Sequence, residues 1–384
     1  MPAWINHMEC VSSLGASWQE TWQALLEART VASPYAPLSA LAAAGNHSAA
    51  VPEADNRLES FGDLPGGRAL RLAIRCIAPL MAATDKKVLF FGGSTHGEAD
   101  LIVAHARQRA TGSSQQPVSA GTLIRGLEGE VIPTVLAQKF PQLEVAAWIY
   151  SSCVSSLHAL ILAINQLQVN PDATFLVAGV DALNDLEMAG FYRSGGLTRT
   201  CCRPYSQQQD GILATEGAAA ILLTGNAQKN AVRIIGVGMG CDAGHPTSPD
   251  KNGRGLQRAI DLALRSAGLE ATALGAVILH GTGTPANDQV EGNCIARLIG
   301  SAIPVTTIKG SLGHAMGAAG LFNVLTAAAA LQSGFLPPTR NAAAGLPLPI
   351  DLVTREPRPI DVTKPIIVLA SGFGGNNIAV IIKR

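Results

Sequence analysis

The chain has 384 residues, 28 basic and 28 acidic side chains, no formal net charge, and 47% hydrophobic against 15% charged residues. Such a chain can bury a large core without metals or disulfides, and it has no overall field to gather nucleic acid or an anionic membrane onto its surface. Its seven cysteines are scattered and odd in number, which does not make a disulfide framework, and no C-x-x-C pair marks a zinc site.

The opening, MPAWINHMEC, carries Glu9 and no Lys or Arg ahead of an apolar run, so no signal peptide is expected. No run of about 18 consecutive apolar residues occurs, so no membrane span is expected and the chain is placed in the cytoplasm. SWQETWQALLEART reads as a first helix, followed by the strand-like KVLFFGG and a glycine turn, FFGGSTHGEAD, that carries His96. LEVAAWIY then reads as a strand and VSSLHALILAINQLQ as a helix, with Leu157, Leu160, Ile161 and Ile164 on one face. TFLVAGV and AAAILLTG follow as strands. Near Val232 the pattern restarts with VRIIGVGMG, the helix GRGLQRAIDLALRSAGL and the strand GAVILHGTG. The helix GLFNVLTAAAALQSG and the strands PIIVLASGFGG and NIAVIIKR close the chain. Strands alternating with helices predict a layered α/β architecture.

Four places can carry chemistry. Cys153 falls between a strand and a helix, where free backbone N–H groups and the helix dipole favour a thiolate and can hold an oxyanion; a buried structural cysteine is the other reading. His280 ends a strand-like run ahead of Gly-Thr-Gly-Thr, and Asp288 and Glu291 follow on the next helix, where Asp288 is expected simply to favour the positive helix end. Lys309 and His314 sit in a glycine-rich loop, TTIKGSLGHAMGAAG. Phe373 lies in a Gly-Phe-Gly-Gly turn that is either a plain hairpin or a source of backbone N–H donors. A metal held by His280, Glu291 and His314 is conceivable on composition, yet the spacing fits no zinc pattern. Dinucleotide, P-loop and G-x-S-x-G signatures do not occur.

Taken in order, SSCVSS, HGTGTPANDQVEG, KGSLGHAMGAAG and GFGGNN resemble the motif set of the β-ketoacyl-acyl carrier protein synthases, condensing enzymes of the thiolase superfamily. The resemblance extends to VSSLGASWQETWQALLEART, CRPYSQQQDGILATEGAAAILL and FLPPTRN, and so reaches nearly end to end. It implies a thiolase-like five-layered αβαβα sandwich of two related halves, 1–230 with the nucleophile and 231–384 with two histidines. Cys153 matches the nucleophile, His280 and His314 the histidine pair, Lys309 the lysine five residues before the second histidine, and Glu291 the organising acid. Phe373 matches the acyl gate and a backbone oxyanion donor, and Thr282 and Thr284 match substrate-binding positions. His158, on the helix after Cys153, is expected to be a packing residue.

The implied reaction is a decarboxylating Claisen condensation of a Cys-bound acyl group with malonyl-acyl carrier protein, in fatty acid, polyketide or aryl polyene biosynthesis. It needs no cofactor or metal. Expected partners are the acyl carrier protein and a second copy or a related ketosynthase or chain-length factor. The alternative is a non-catalytic subunit like those chain-length factors, which commonly replace the nucleophile. Two histidines, where initiating synthases carry asparagine at the second position, imply chain elongation. The sequence departs from the family at its first strand, between Gly190 and Pro204, and at Ser371, which stands where an aromatic residue is expected. These departures bear on substrate range.

Overall fold

The computed structural model of the protein describes residues 3–30, 33–34, 47–49, 67–99, 102–103, 106, 131–342 and 345–384. Its first-half elements are β1 (Ala3–Ser12), α1 (Trp18–Leu26), α2 (Arg68–Ala82), β2 (Val88–Gly93), α3 (Val131–Lys139), β3 (Leu143–Ile149), α4 (Ser155–Val169), β4 (Thr174–Asp181), α5 (Asp185–Arg193) and β5 (Gly217–Thr224). The second half contributes β6 (Val232–Cys241), α6 (Arg254–Ala267), β7 (Ala276–Ile278), α7 (Pro285–Leu298), β8 (Pro304–Thr306), α8 (Ala319–Ser333), β9 (Asp351–Leu352), β10 (Ile366–Gly372) and β11 (Asn376–Lys383).

Period-two burial builds the layers. In β4, Phe175 and Val177 enter one apolar cluster while Leu176, Ala178 and Val180 enter another, so the strand is buried on both faces. β11 does the same in the second half: Ile378, Val380 and Ile382 face the central cluster, and Ala379 and Ile381 face a third. The central cluster holds α4 and α8. The other two hold α2 with α3 and α6 with α7. The result is α, β, α, β, α, the five-layered sandwich expected from the motifs.

These eleven strands form one sheet in the order β9-β8-β7-β10-β11-β6-β1-β5-β4-β2-β3, and shorter strands make two small sheets beside it. With the two-residue edge strand β9 left out of the numbering, each half lays its five strands the same way: first beside fifth, then fourth, second and third. In each half the first and fifth pair antiparallel, as do the fifth and fourth, whereas the fourth, second and third run parallel. The halves join where β1 pairs antiparallel with β6 through Ala3 and Ile234. The restart near Val232 thus has a topological counterpart. No repeat of residue identities accompanies it, because a strand order needs only apolar alternation.

α8 is buried from Ala319 to Leu331 and almost wholly apolar, as a helix packed between the two halves of the sheet must be. It approaches α4 closely. A Cβ on Gly320 would lie 2.5 Å from Leu157 Cγ, so only glycine permits this separation. Ser152–Val169 and Met316–Ser333 have the length and hydropathy of membrane spans, yet 61% and 89% of them are buried inside the protein. Their apolar character comes from the central layer rather than from contact with lipid.

Several elements were not legible in advance. α2 lacks a capping side chain at Gly67 and contains Pro79, which masks its buried face of Leu70, Ala73, Ile74, Ile77 and Met81. The strand predicted over 275–283 ends at Ile278, because buried carboxylates capture the backbone beyond it.

Candidate active site

The chain leaves β3 and turns sharply at Ser152, whose φ of 51° lies in the left-handed region that residues with a Cβ avoid. A 3-10 turn, Ser152–Val154, then leads directly into α4 and sets Cys153 at its entrance. The Ser155 hydroxyl accepts from the Ser151 N–H at 2.8 Å and donates to Ser152 O at 2.6 Å, closing the turn. The second half repeats the device: Met316, with φ 43°, opens the 3-10 turn Met316–Ala318 that leads into α8. Asp181, at the end of β4, ties the repeated turn to the loop after β2. Its carboxylate accepts from the Ser94 hydroxyl at 2.7 Å, the Thr95 N–H at 2.9 Å, the His96 N–H at 3.0 Å and the Gly317 N–H at 2.7 Å. Sequence reasoning passed over Asp181, although an acid closing an otherwise apolar buried strand is a usable signal.

Cys153 is 6% exposed, and here the expectation of a lowered thiol pKa is corrected. Burial pushes the thiol up to about 11; the Ser152 hydroxyl and the Lys309 charge pull it down, while Asp181 and Glu187 add to the rise. Desolvation of the thiolate is the largest of these effects, so the resting sulfur is protonated. Alkylation of Cys153 by iodoacetamide should therefore rise about tenfold per pH unit from pH 7 to 9. Peptide mapping would read this, and a plateau reached below pH 8 would contradict it.

His280 lies two residues past β7, in a loop held from below by two acids on α7. Glu291 accepts from the His280 N–H at 2.7 Å, the Gly281 N–H at 2.8 Å and the Tyr205 hydroxyl at 2.6 Å. Asp288 accepts from the N–H groups of Tyr205 at 2.8 Å, Thr282 at 3.0 Å and Gly283 at 3.1 Å. Asp288 is thus fully buried and clamps the loop, rather than facing the helix end as expected. Gly281 and Gly283, with φ of 44° and 76°, let the loop fold over these carboxylates. Glu291 is engaged with backbone and tyrosine, which argues against its joining the histidines around a metal. Tyr205→Phe should lower stability by about 1–3 kcal/mol, since it removes a donor from a buried carboxylate. A urea midpoint unchanged from wild type would show that the hydroxyl contributes nothing.

Lys309 is 1% exposed rather than solvated, and its ammonium donates to His280 O and lies 3.5 Å from His280 Nδ1. Burial lowers its pKa to about 8 against the opposing pull of Glu291, the thiols Cys202 and Cys153, and Asp288, so the charge persists at neutral pH. Facing that cation, His280 Nδ1 presents its lone pair, and the ring proton sits on Nε2. His314 is fixed through its backbone, with its N–H donating to Leu213 O at 2.7 Å and its carbonyl accepting from the Thr215 N–H at 3.0 Å. The two imidazoles meet edge to face, 5.4 Å between centroids at 85°. Burial first and the Lys309 charge second hold both well below the ordinary histidine pKa; His314 depresses His280 further. Both rings are neutral.

Cys153, His280, His314, Thr282, Thr284 and Phe373 line one cavity of about 620 Å³. The two threonine hydroxyls lie 2.8 Å apart. Phe373 sits in the hairpin between β10 and β11 and is 44% exposed, with its ring 5.8 Å from that of Phe191. A Cβ on Gly372 would lie 3.4 Å from Cys153 N, so the hairpin touches the cysteine turn. The N–H groups of Cys153 and Phe373 have no acceptor among the described residues. Ser371, also on the cavity wall, donates to Asn377 Oδ1 at 2.7 Å. His158 lies outside this lining, as expected of a packing residue.

Fold and cavity together define a thiolase-like α/β protein with one cysteine, two neutral histidines and a buried lysine at the junction of its halves. Residues 77–229 match the family described as "Beta-ketoacyl synthase, N-terminal domain", and residues 231–343 match "Beta-ketoacyl synthase, C-terminal domain". The chain belongs to the β-ketoacyl synthase family. It is 32% identical over 257 residues to 3-oxoacyl-[acyl-carrier-protein] synthase 2 of Vibrio cholerae, a match covering 62% of this chain and 61% of that protein, less than two thirds of its length. It is 28% identical over 317 residues to the protein of the same name in Mycobacterium bovis, covering 78% of this chain and 75% of the relative. Among solved structures, one described as "The ishigamide ketosynthase/chain length factor" superposes with a TM-score of 0.88 at 27% identity, covering 100% of this chain and 98% of that one.

Proposed function

We propose that the chain is an acyltransferase that condenses a Cys153-bound acyl group with malonyl-acyl carrier protein, with loss of carbon dioxide, to give β-ketoacyl-acyl carrier protein. The observation that carries this reading is the single cavity in which Cys153 faces two neutral imidazoles. In the first step Cys153 Sγ bonds to the acyl carbon, the bond to the carrier thiol breaks, and the thiol proton of Cys153 passes to the departing carrier sulfur. Backbone N–H groups of Cys153 and Phe373 hold the oxyanion. In the second, His280 and His314 donate N–H bonds to the malonyl thioester oxygen. The carbon–carbon bond to the carboxylate breaks, its electron pair becomes the enolate, and carbon dioxide leaves. The enolate carbon attacks acyl-Cys153, and the sulfur leaves and is reprotonated by solvent.

Neutral histidines suit this role, because a donor N–H stabilises an enolate without delivering a proton that would quench it. Lys309 holds the His280 tautomer, Glu291 holds its loop, and Thr282 and Thr284 bind the carrier arm. Phe373 gates the acyl end. Residues 1–230 and 231–384 act as the two halves, a division supported by the repeated strand order. The acyl carrier protein and a second related chain are the partners in this reading, with the ketosynthase/chain length factor relative as support. The place of action is the cytoplasm. Incubation with acyl-carrier thioesters followed by intact-mass measurement tests the reading: an acyl increment on Cys153 is expected. An unmodified chain across short, long and aromatic donors would instead favour a non-catalytic partner subunit.

A further inference from the structure

Apart from Cys153, the catalytic reading uses the wall of the cavity that the second half supplies. The first half supplies another wall, and it is unexpectedly polar. Thr95, His96 and Glu187 line the cavity there, among Leu186, Phe191 and Ile212. Three of their side-chain atoms are buried without a hydrogen-bond partner among the described residues: Thr95 Oγ1, His96 Nδ1 and Glu187 Oε1. The Glu187 side chain is 1% exposed, and its Oε2 lies 3.4 Å from His96 Nδ1, outside hydrogen-bond geometry.

Local structure accounts for only part of this arrangement. Asn184 caps α5 by accepting from the Glu187 N–H at 2.9 Å, and its amide lies 3.4 Å from Glu187 Oε2, a capping box in outline. That contact uses one carboxyl oxygen. A glutamate needed only as a cap would sit at the surface with its second oxygen in water, whereas this one is turned into the cavity. Burial, and then the charges of Asp181 and Glu216, hold the Glu187 carboxyl well above its ordinary pKa. It retains its proton and can donate as well as accept. Buried polar groups left unpaired are costly, and a cluster of three on a ligand wall marks a place where a ligand supplies the missing partners.

We propose that Glu187, with Thr95 and His96, forms a polar acyl subsite that selects acyl groups bearing a hydroxyl or keto oxygen over plain alkyl chains. An alkyl chain would cover these atoms and leave them unpaired; an oxygenated chain pairs with them. The inference rests on acyl transfer to Cys153 as proposed above, and it makes Glu187 a specificity-determining residue rather than a catalytic one.

The test uses pantetheine thioesters of hexanoate, 5-hydroxyhexanoate and 5-oxohexanoate, with acylation of Cys153 followed by intact mass. Wild type is expected to load the oxygenated chains about tenfold or more faster than hexanoate, since sites built for hydrogen bonds discriminate strongly against analogues that lack them. Glu187→Leu should erase this ratio, and Glu187→Gln, which keeps a donor and an acceptor, should largely retain it. Should Glu187→Leu fail to fold, Thr95→Val is read in the same way. Equal loading of all three thioesters by wild type, or a ratio unmoved in the leucine and valine variants, would overturn the subsite while leaving acyl transfer intact. Absence of loading with every thioester, on carrier protein as well as pantetheine, would instead overturn acyl transfer itself and the subsite with it.

Discussion

Cys153→Ala is expected to abolish the acyl mass increment, with no residual loading at another cysteine. Cys153 is the one cysteine on the cavity wall among the described residues. Cys202, beside the Thr282 loop, is fully buried with its sulfur donating to Thr282 O at 3.2 Å, and burial pushes its thiol far above the usual range. Cys10 and Cys76 pack under β1 and α2, with thiols pushed up in the same way. Cys201 is half-buried and Cys241 exposed, but neither lines the cavity. Alanine removes about the volume of one sulfur atom at a position whose strain lies in the preceding residue, Ser152, so the turn should persist. Far-UV dichroism and the urea midpoint should stay close to wild type while the increment disappears. An increment that survives in the alanine variant would move the nucleophile elsewhere.

The second large effect separates the two steps. His280→Ala and His314→Ala should each slow malonyl decarboxylation by about 10² to 10³, the usual loss for one preorganised oxyanion donor. Acylation of Cys153 should continue in both, because the donors for that step are backbone groups of Cys153 and Phe373. The two variants should nevertheless differ. Removing His280 takes away the ring that faces the Lys309 ammonium, whereas removing His314 leaves the lysine contact intact. Since both imidazoles titrate well below 6.5 in the folded protein, lowering the pH from 7.5 to 6.5 should not protonate them, and the decarboxylation rate should not fall through that window for this reason. Decarboxylation unchanged in both variants would remove the histidines from the mechanism.

The pKa pattern follows from one feature: the site is assembled inside the protein rather than on its surface. Burial raises the Cys153 thiol and lowers His280, His314 and Lys309, in every case disfavouring charge. The lysine is the exception that stays ionised, because Glu291 lies close enough to offset part of the cost of burial. A site so arranged keeps the sulfur protonated until substrate arrives and keeps both imidazoles as neutral donors.

Much of this was readable in one dimension. Apolar runs of strand length alternating with helical runs placed β2 through β5 and β11 within a residue or two and overran the end of β10 at Gly372 by three; for β4, β5 and β11 burial on both faces demands unbroken apolar stretches. Helices α4, α6 and α8 were legible for a related reason, their length together with terminal glycines such as Gly334 at φ 83°. Short motifs with distinctive residues singled out Cys153, His280, Lys309 and His314, and the structure gathers them: Cys153, His280 and His314 on the cavity wall, and Lys309 against His280. What the linear pattern left undecided was ionisation and the purpose of the polar residues between motifs. A thiol at a helix entrance is ambiguous until its burial is known, and only the packed structure shows desolvation prevailing. Asp288 and Asp181 look like ordinary acids in sequence and become clamps once they meet backbone N–H groups more than eighty residues away. Glu187 belongs to the first turn of α5 and carries no signal of its own in the sequence; only the packed structure places it on the cavity wall. Residue chemistry and apolar period are local properties and were set by the sequence alone; burial, and with it the charge state and the partners of each group, is decided by segments distant in the chain, so tertiary structure alone could supply it.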